Sequence, residues 1–289
     1  GWITDKAASI GVKGSKHKEC TVCKKVLETA EIPALSRISI SKASVTLSTS
    51  TYAYDGKAKK PGVTVKLNGK TLKNGTDYTV SYRNNINAGT ASVVITGKGS
   101  YTGTKTASFQ IARAKAVLTA KATALTLTQS SSKTAVIKSK KTDGKITCKS
   151  YNSKIVKISG TSIIPVSPGQ ATVTIQAAQG VNYKAASAKI LITVRPLTVS
   201  SVSLKSTAKG QANISWKPVK SVTAYQIQYS TSSSFKSAKT ITAKSSSKST
   251  VLKKLSGGKK YYIRIRTYKT VSKKNYYSTW SKTSSVKVK

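Results

Sequence analysis

Strict alternation of apolar and polar residues dominates this chain and restricts it to β-structure. In segment 225–229, tyrosine and isoleucine alternate with glutamine, and in segment 261–266 every second residue is Tyr261, Ile263 or Ile265. A repeat of two residues is that of a β-strand with one buried and one solvent-exposed face. Short runs of the same kind recur from residue 38 onward, and no segment has the apolar spacing of a helix of useful length. The sequence therefore predicts an all-β chain.

Turn signals divide the alternating segments into short strands. Pairs such as Asn68-Gly69 and Asn74-Gly75 supply the positive φ angles of tight hairpins. Short strands at this spacing are typical of β-sandwiches, and 289 residues are too many for one small sandwich. Pro196 favours an extended entry into a last module. We predict three tandem β-sandwich domains (Ig-like and fibronectin III-like) at residues 35–114, 115–195 and 196–289, after a short CxxC-containing repeat remnant or linker at residues 1–34.

The last predicted module carries a recognisable aromatic framework. Trp216 stands in an alternating segment, and Leu255, Gly258 and Tyr261 have the spacing of a tyrosine corner, in which a tyrosine hydroxyl bonds to the backbone upstream. With these residues, the segment from about residue 195 to 289 resembles the fibronectin type III domain. The resemblance implies structural roles for Trp216, Leu255 and Tyr261, and a spacer or binding module that seldom carries catalysis.

The earlier segments resemble bacterial surface modules. The run from Tyr54-Asp-Gly-Lys to Gly97-Lys-Gly-Ser-Tyr101 is similar to an Ig-like repeat of Firmicutes surface proteins. Segments 150–158, 168–175 and 182–186 are similar to a group 2 bacterial Ig-like domain. The Gly14-Ser-Lys-His-Lys-Glu-Cys20-Thr-Val-Cys23 segment resembles repeats of secreted proteins from Gram-positive gut bacteria. These resemblances imply a secreted or cell-surface protein of a Clostridia-like bacterium. Because the chain contains no methionine, we expect a fragment or a mature tail.

The first 34 residues contain the single stretch with metal-like spacing. Cys20 and Cys23 are separated by two residues and can supply half of a zinc site, with His17 as a third candidate ligand. No fourth ligand is apparent. Cys148 lies in a later alternating segment, where we expect a small buried hydrophobe. We therefore predict no metal and no cofactor, and expect Cys20 and Cys23 either as a disulfide or as free thiols.

The charge of the chain is extreme, at 51 Lys and Arg against 7 Asp and Glu. No acidic residue follows Asp143. One interpretation is that outward lysines solubilise the strands and block edge-to-edge aggregation. The other is that they bind polyanions. Arginine is rare and no basic arm is present, which disfavours specific nucleic-acid recognition. Contact with anionic polymers at low salt is expected under either interpretation.

The sequence lacks the residue sets of known catalytic sites. It has one histidine, and it contains no Gly-x-Ser-x-Gly elbow, no phosphate loop and no glycosidase-like carboxyl pair. Asp55 and Asp77 adjoin glycine turns, where carboxylates bond the backbone. No stretch has the length of a membrane helix. We predict a chain that is not an enzyme and does not insert into a membrane.

These observations favour a structural array that presents an upstream domain and binds anionic cell-wall polymers or acidic glycans. The candidate binding residues lie around predicted turns, where several segments could share one anionic strand: Lys253, Lys254, Lys259, Lys260, Lys273 and Lys274. Tyr276, Tyr277 and Trp280 either stack on sugar rings or pack the edge of the sandwich. Two alternatives stay open, a host-directed adhesin that binds a glycoprotein or carbohydrate, and the accessory tail of a secreted enzyme.

Overall fold

The computed structural model describes all 289 residues and contains strands but no helix, which confirms the predicted all-β fold of tandem sandwiches. It therefore has no helix that could span a membrane. The backbone divides into two compact units. One unit comprises Gly1–Lys115 and Val181–Lys184, and the other comprises Ala116–Gly180 and Ala185–Lys289.

The first 34 residues form a small antiparallel sheet of three strands, which alternation alone did not single out. The strands are β1 (Trp2–Lys6), β2 (Gly14–Glu19) and β3 (Val26–Ile32), and β2 lies in the centre. All of β1 and most of β3 are exposed, so the sheet buries little apolar surface. Its strands are joined by backbone pairing and by exposed ion pairs such as Lys18 with Glu28, at 2.7 Å.

The next sandwich encloses a core that includes Ile95 and Phe109. Its strands are β4 (Ile38–Ser39), β5 (Ser44–Leu47), β6 (Thr51–Ala53), β7 (Val63–Leu67), β8 (Lys70–Thr71), β9 (Tyr78–Arg83), β10 (Gly89–Gly97), β11 (Tyr101–Thr102) and β12 (Thr104–Ala112). The larger sheet has the order β6-β12-β10-β9, and the smaller sheet has the order β5-β7-β8. Asp55 and Asp77 accept hydrogen bonds from the amides of Lys57 and Lys73 within turns, both at 2.8 Å.

The following sandwich has its own core, which includes Ile163, Val173 and Ile190. Its strands are β13 (Val117–Ala120), β14 (Ala124–Thr128), β15 (Thr134–Ala135), β16 (Ile137–Lys141), β17 (Ile146–Ser150), β18 (Val156–Ser159), β19 (Ser162–Pro165), β20 (Gly169–Ala177) and β21 (Ala186–Arg195). One sheet has the strand order β14-β21-β20-β17. A second sheet, with the order β15-β19-β18, faces it across the core. Cys148 on β17 is half-buried against this core, and burial raises the pKa of its thiol.

The last sandwich packs two sheets around Trp216 and Tyr225, whose ring centroids lie 5.1 Å apart. Its strands are β22 (Ser203–Lys205), β23 (Ala212–Ser215), β24 (Ala224–Ser230), β25 (Lys239–Lys244), β26 (Ser249–Leu252), β27 (Lys260–Val271), β28 (Lys274–Tyr277) and β29 (Ser284–Lys287). One sheet has the order β22-β23-β26, and the other has the order β25-β24-β27-β28, with β29 also paired to β27. Tyr261 is buried, and its hydroxyl accepts a hydrogen bond from the amide of Ser256 at 3.1 Å. This contact is that of a tyrosine corner.

Candidate functional site

Two loops meet at one end of the last sandwich and bring lysines together. One loop joins β24 to β25 and the other joins β26 to β27. Because β24 and β27 are antiparallel, with Ser230 opposite Tyr262, the end of β24 lies beside the start of β27. Loops 231–238 and 253–259 therefore share one edge of the domain, which we call the basic end.

A cavity of about 400 Å³ opens between these loops. Four lysines line it, and hydroxyl-bearing residues contribute most of the remaining wall. The lining residues are Tyr229, Ser230, Thr231, Lys236, Ser237, Lys239, Lys253, Lys254, Leu255 and Tyr261. We call this cavity the lysine cleft. Sequence reasoning selected Lys253 and Lys254 but missed Lys236 and Lys239, because only the register of β24 against β27 brings the two loops together.

Ser230 fixes the shape of loop 231–238. Its hydroxyl donates to the carbonyl of Lys236 at 2.8 Å and accepts from the amide of Ser232 at 3.0 Å. Ser237, which also lines the cleft, has a φ of 51°, and Lys254 in the facing loop has a φ of 59°. Residues with a side chain rarely adopt this left-handed region, at a cost of about 1–3 kcal/mol each. Each of the two loops of the basic end thus contains a residue with left-handed backbone conformation.

The lysine cleft has positively charged side chains and no negatively charged ones. No Asp or Glu occurs after Asp143, so the four ammonium groups have no carboxylate of their own domain to neutralise them. Like charges around one cavity repel each other, and an anion relieves that repulsion. The four lysine side chains are exposed. An ammonium group on a flexible stem can pair with sulfate, phosphate or carboxylate groups as a point charge.

The six lysines predicted as one binding set do not form one surface. Lys259 and Lys260 adjoin the basic end, where Lys260 lies opposite Lys287 on β29. Lys273 and Lys274 lie in the β27–β28 hairpin, at the far end of a strand of 12 residues. At about 3.3 Å per residue, the two groups are roughly 36 Å apart. Turn signals alone could not reveal this separation, because it depends on the length of β27.

The aromatic residues for which the sequence left sugar stacking or edge packing open are in contact with side chains of the protein itself. The Trp280 ring lies 4.6 Å from the guanidinium of Arg264 and 4.4 Å from that of Arg266. Phe235 stacks on Arg264 and Tyr277 stacks on Arg266, each at 4.0 Å. Side chains two residues apart on a strand are separated by about 6.7 Å. This separation allows one aromatic ring to lie between two guanidinium planes. We call this stack of five side chains the arginine ladder.

Glutamines on the neighbouring strand complete the arginine ladder. Oε1 of Gln228 accepts from Nε and Nη2 of Arg264, at 2.8 and 2.6 Å. Oε1 of Gln226 accepts from Nε of Arg266 at 2.7 Å. Burial lowers the pKa of Arg266. Each guanidinium is thus satisfied by a ring face and an amide oxygen.

Two buried serines hold Trp280 in place. The hydroxyl of Ser278 accepts from the amide of Thr267, and that of Ser281 accepts from the amide of Ile265, both at 3.0 Å. These bonds satisfy backbone amides of β27 that lie between the residues paired with β29 and the residues paired with β28. Of the two roles that the sequence left open for these residues, sugar stacking and packing at the edge of the sandwich, the observed contacts are those of packing. Tyr276 is buried, and the guanidinium groups cover the faces of Trp280.

The candidate metal ligands of the first segment do not converge. The Nδ1 atom of His17 hydrogen-bonds the carboxylate of Asp5 on the neighbouring strand. The Sγ atom of Cys20 instead accepts a hydrogen bond from the amide of Cys23, at 3.4 Å. No group of three or more His, Cys, Asp or Glu side chains is placed to hold a metal ion.

Comparison with known families identifies the last sandwich. Residues 197–286 match the model of the fibronectin type III domain. This segment is a fibronectin type III domain. Domains of this kind are typical of extracellular proteins, where they generally serve as spacers or in adhesion rather than in catalysis. No curated protein matches the chain.

Solved structures with similarity to the chain include several fibronectin type III domains. A two-domain segment of chicken tenascin is 18% identical, over 74% of this chain and 98% of that one, with a TM-score of 0.35. The domain of the human collagen alpha-1(XX) chain is 17% identical, over 32% of this chain and 86% of that one, with a TM-score of 0.29. The domain of human contactin 1 is 20% identical, over 32% and 79%, with a TM-score of 0.27.

Proposed function

We propose that the chain is a non-catalytic spacer array of an extracellular protein, and that its fibronectin type III domain binds an anionic polymer at the basic end. The observation that carries this proposal is the lysine cleft, where four ammonium groups line one cavity in a domain without carboxylates. A polyanion supplies the counter-charge that the domain itself lacks.

The cleft favours a polymer with repeated charges over a single compact ligand. Lysine ammonium groups are hydrated point charges on flexible stems, and they do not impose the planar geometry that arginine imposes. Lys259, Lys260 and Lys287 continue the positive surface beside the cleft. Cell-wall polymers with repeating phosphates, and acidic glycans, have this chemistry.

The spacer role rests on the separate cores of the sandwiches. Each of the three apolar clusters draws its residues from one sandwich, and none contains a residue from another. An element with its own core holds its fold without help from a ligand. In the proposed array, such elements present a functional domain that precedes them in the complete protein.

Binding to purified Gram-positive cell walls, with and without teichoic acids and across a salt series, tests the proposal. We expect binding that requires the teichoic acids and falls steeply as salt rises, because the attraction is between charges. Absence of binding at low salt would overturn the proposal. Salt-resistant, saturable binding to a single host glycoprotein would replace it with adhesion.

A further inference from the structure

The turn between β2 and β3 holds Cys20 and Cys23 in a fixed arrangement. The amide of Cys20 donates to the carbonyl of Lys25 at 2.9 Å, and the amide of Lys24 donates to the carbonyl of Cys20 at 3.0 Å. Lys24 adopts a φ of 58°, which turns the chain back toward β3. Both cysteines are therefore part of one closed turn.

A backbone amide donates to one of the two sulfur atoms. The amide of Cys23 donates to Sγ of Cys20 at 3.4 Å, which places the two cysteines side by side in the turn. A hydrogen bond to a sulfur atom favours its thiolate form, and hydrogen bonding, led by that of the Cys23 amide, lowers the pKa of Cys20. The thiolate is the form of cysteine that attacks disulfides.

The remaining cysteine of the chain lies in the opposite environment. Cys148 is half-buried on β17, and burial raises the pKa of its thiol. Cys23, in contrast, is exposed in its turn. Cys20 thus has a lowered pKa and Cys23 is accessible beside it. Cys148, with a raised pKa, serves as the cysteine for comparison.

We propose that Cys20 and Cys23 form a dithiol–disulfide exchange site whose substrate is a small aliphatic disulfide. In the first step, the Cys20 thiolate attacks one sulfur of the substrate. The substrate S–S bond breaks, one thiolate leaves and takes a proton from solvent, and Cys20 forms a mixed disulfide. Cys23 then loses its proton to solvent and attacks Sγ of Cys20, and the second substrate thiolate leaves and is protonated.

The net reaction transfers two electrons from the dithiol to the substrate, which becomes two thiols, while a Cys20–Cys23 disulfide forms. The second step is local, because the backbone amide of Cys23 already lies within 3.4 Å of the Cys20 sulfur in the same turn. Charged side chains around the turn are the Glu19–Lys24 ion pair, at 3.1 Å, and the neighbouring Lys25. Cys23 is exposed and Cys20 is partly exposed, so a small substrate has access to the pair.

Reaction of the reduced full chain with oxidised glutathione, followed by acid quenching and peptide mass spectrometry, tests this site. We expect the wild type to accumulate the Cys20–Cys23 disulfide, and Cys23→Ser to accumulate a glutathione adduct on Cys20. Cys20→Ser should react at Cys23 more slowly, by on the order of tenfold, because the amide hydrogen bond of the turn is made to the sulfur of Cys20 and not to that of Cys23. Cys148→Ser is the matched control and should react as the wild type does.

Two results would overturn the proposal. The first is an adduct on Cys20 in Cys23→Ser that forms no faster than the adduct on Cys148. The second is protection of both cysteines by one equivalent of Zn²⁺ at low concentration, which would assign the pair to metal binding. The substituted positions lie in an exposed turn, and circular dichroism of each variant verifies that the sheets are unchanged.

Discussion

The fibronectin type III domain has two clusters of positively charged side chains, and the two clusters differ in whether the protein supplies partners for the charges. In the arginine ladder, Arg264 and Arg266 alternate with aromatic rings and donate to glutamine oxygens on β24. In the lysine cleft, four lysines line an open cavity without an Asp or Glu side chain. The ladder is internally satisfied, whereas the cleft is not.

The difference follows from the chemistry of the two cations. A guanidinium group is planar and weakly hydrated, so it stacks on rings and is readily buried. An ammonium group is compact and strongly hydrated, so it stays in solvent until an anion replaces its water. Equal charges therefore stabilise the fold in one place and remain available to a ligand in the other. Four sets of substitutions test this contrast.

Replacement of Trp280 by alanine should have the largest effect. It removes the ring between two guanidinium groups, and we expect the free energy of unfolding of this domain to fall by about 2–3 kcal/mol. Urea denaturation of the full chain, followed through the fluorescence of the buried Trp216, measures the change. Polyanion affinity should be unchanged, and a loss of stability below about 0.5 kcal/mol would show that the ladder is not a stabilising element.

Replacement of Lys253 and Lys254 by glutamine should act on binding alone. With two charges lost from the cleft, we expect the affinity for teichoic acid at low salt to fall about tenfold and the salt slope to decrease by about 1.5. Lys273→Gln with Lys274→Gln is the matched control, because it removes the same charge from the opposite end of β27. Equal losses in the two double variants would refute the cleft as the binding site.

Replacement of Tyr261 by phenylalanine tests whether the tyrosine hydroxyl contributes to binding at the cleft in addition to the lysine charges. The amide of Ser256 loses its acceptor, and we expect a loss of about 1 kcal/mol of stability, measured by urea denaturation. The ring still lines the cavity, so binding at fixed salt should persist. A binding loss as large as that of the lysine variant would indicate that the ligand contacts the hydroxyl.

Replacement of single glutamines should have the smallest effects. Gln228→Ala removes two hydrogen bonds to Arg264, and Gln226→Ala removes one to Arg266. We expect losses of about 1 and about 0.5 kcal/mol, respectively, in thermal or urea unfolding. The reverse order would mean that the half-buried Arg266 depends more on its acceptor than on the rings.

The sequence predicted the strands of the sandwiches because alternation is a local property. It also indicated the fibronectin type III domain, because Trp216, Leu255 and Tyr261 occur at a recognisable spacing. The Ig-like resemblances, the domain boundaries and the bacterial origin stay predictions. The sheet of the first 34 residues was not anticipated, because its strands are largely exposed and alternate weakly.

The sites were harder to predict because they depend on register. Lys236 and Lys253 are far apart in sequence and meet only because Ser230 pairs opposite Tyr262. The arginine ladder did leave a signal, since the residues at 226 and 228 and those at 264 and 266 are polar at alternate positions of two strands. Pairing those strands in the observed register would have placed each arginine beside a glutamine.

Acid should leave the fibronectin type III domain folded. The side chains that take up protons between about pH 8 and pH 2 are those of His, Glu and Asp. Residues 197–286 contain none of them. Acid unfolding proceeds mainly through protonation of carboxylates that are ionised in the native state, so this domain lacks the side-chain route to it. Its positive charge is also constant over that range, and its attraction for a polymer persists wherever the phosphates of the polymer stay ionised.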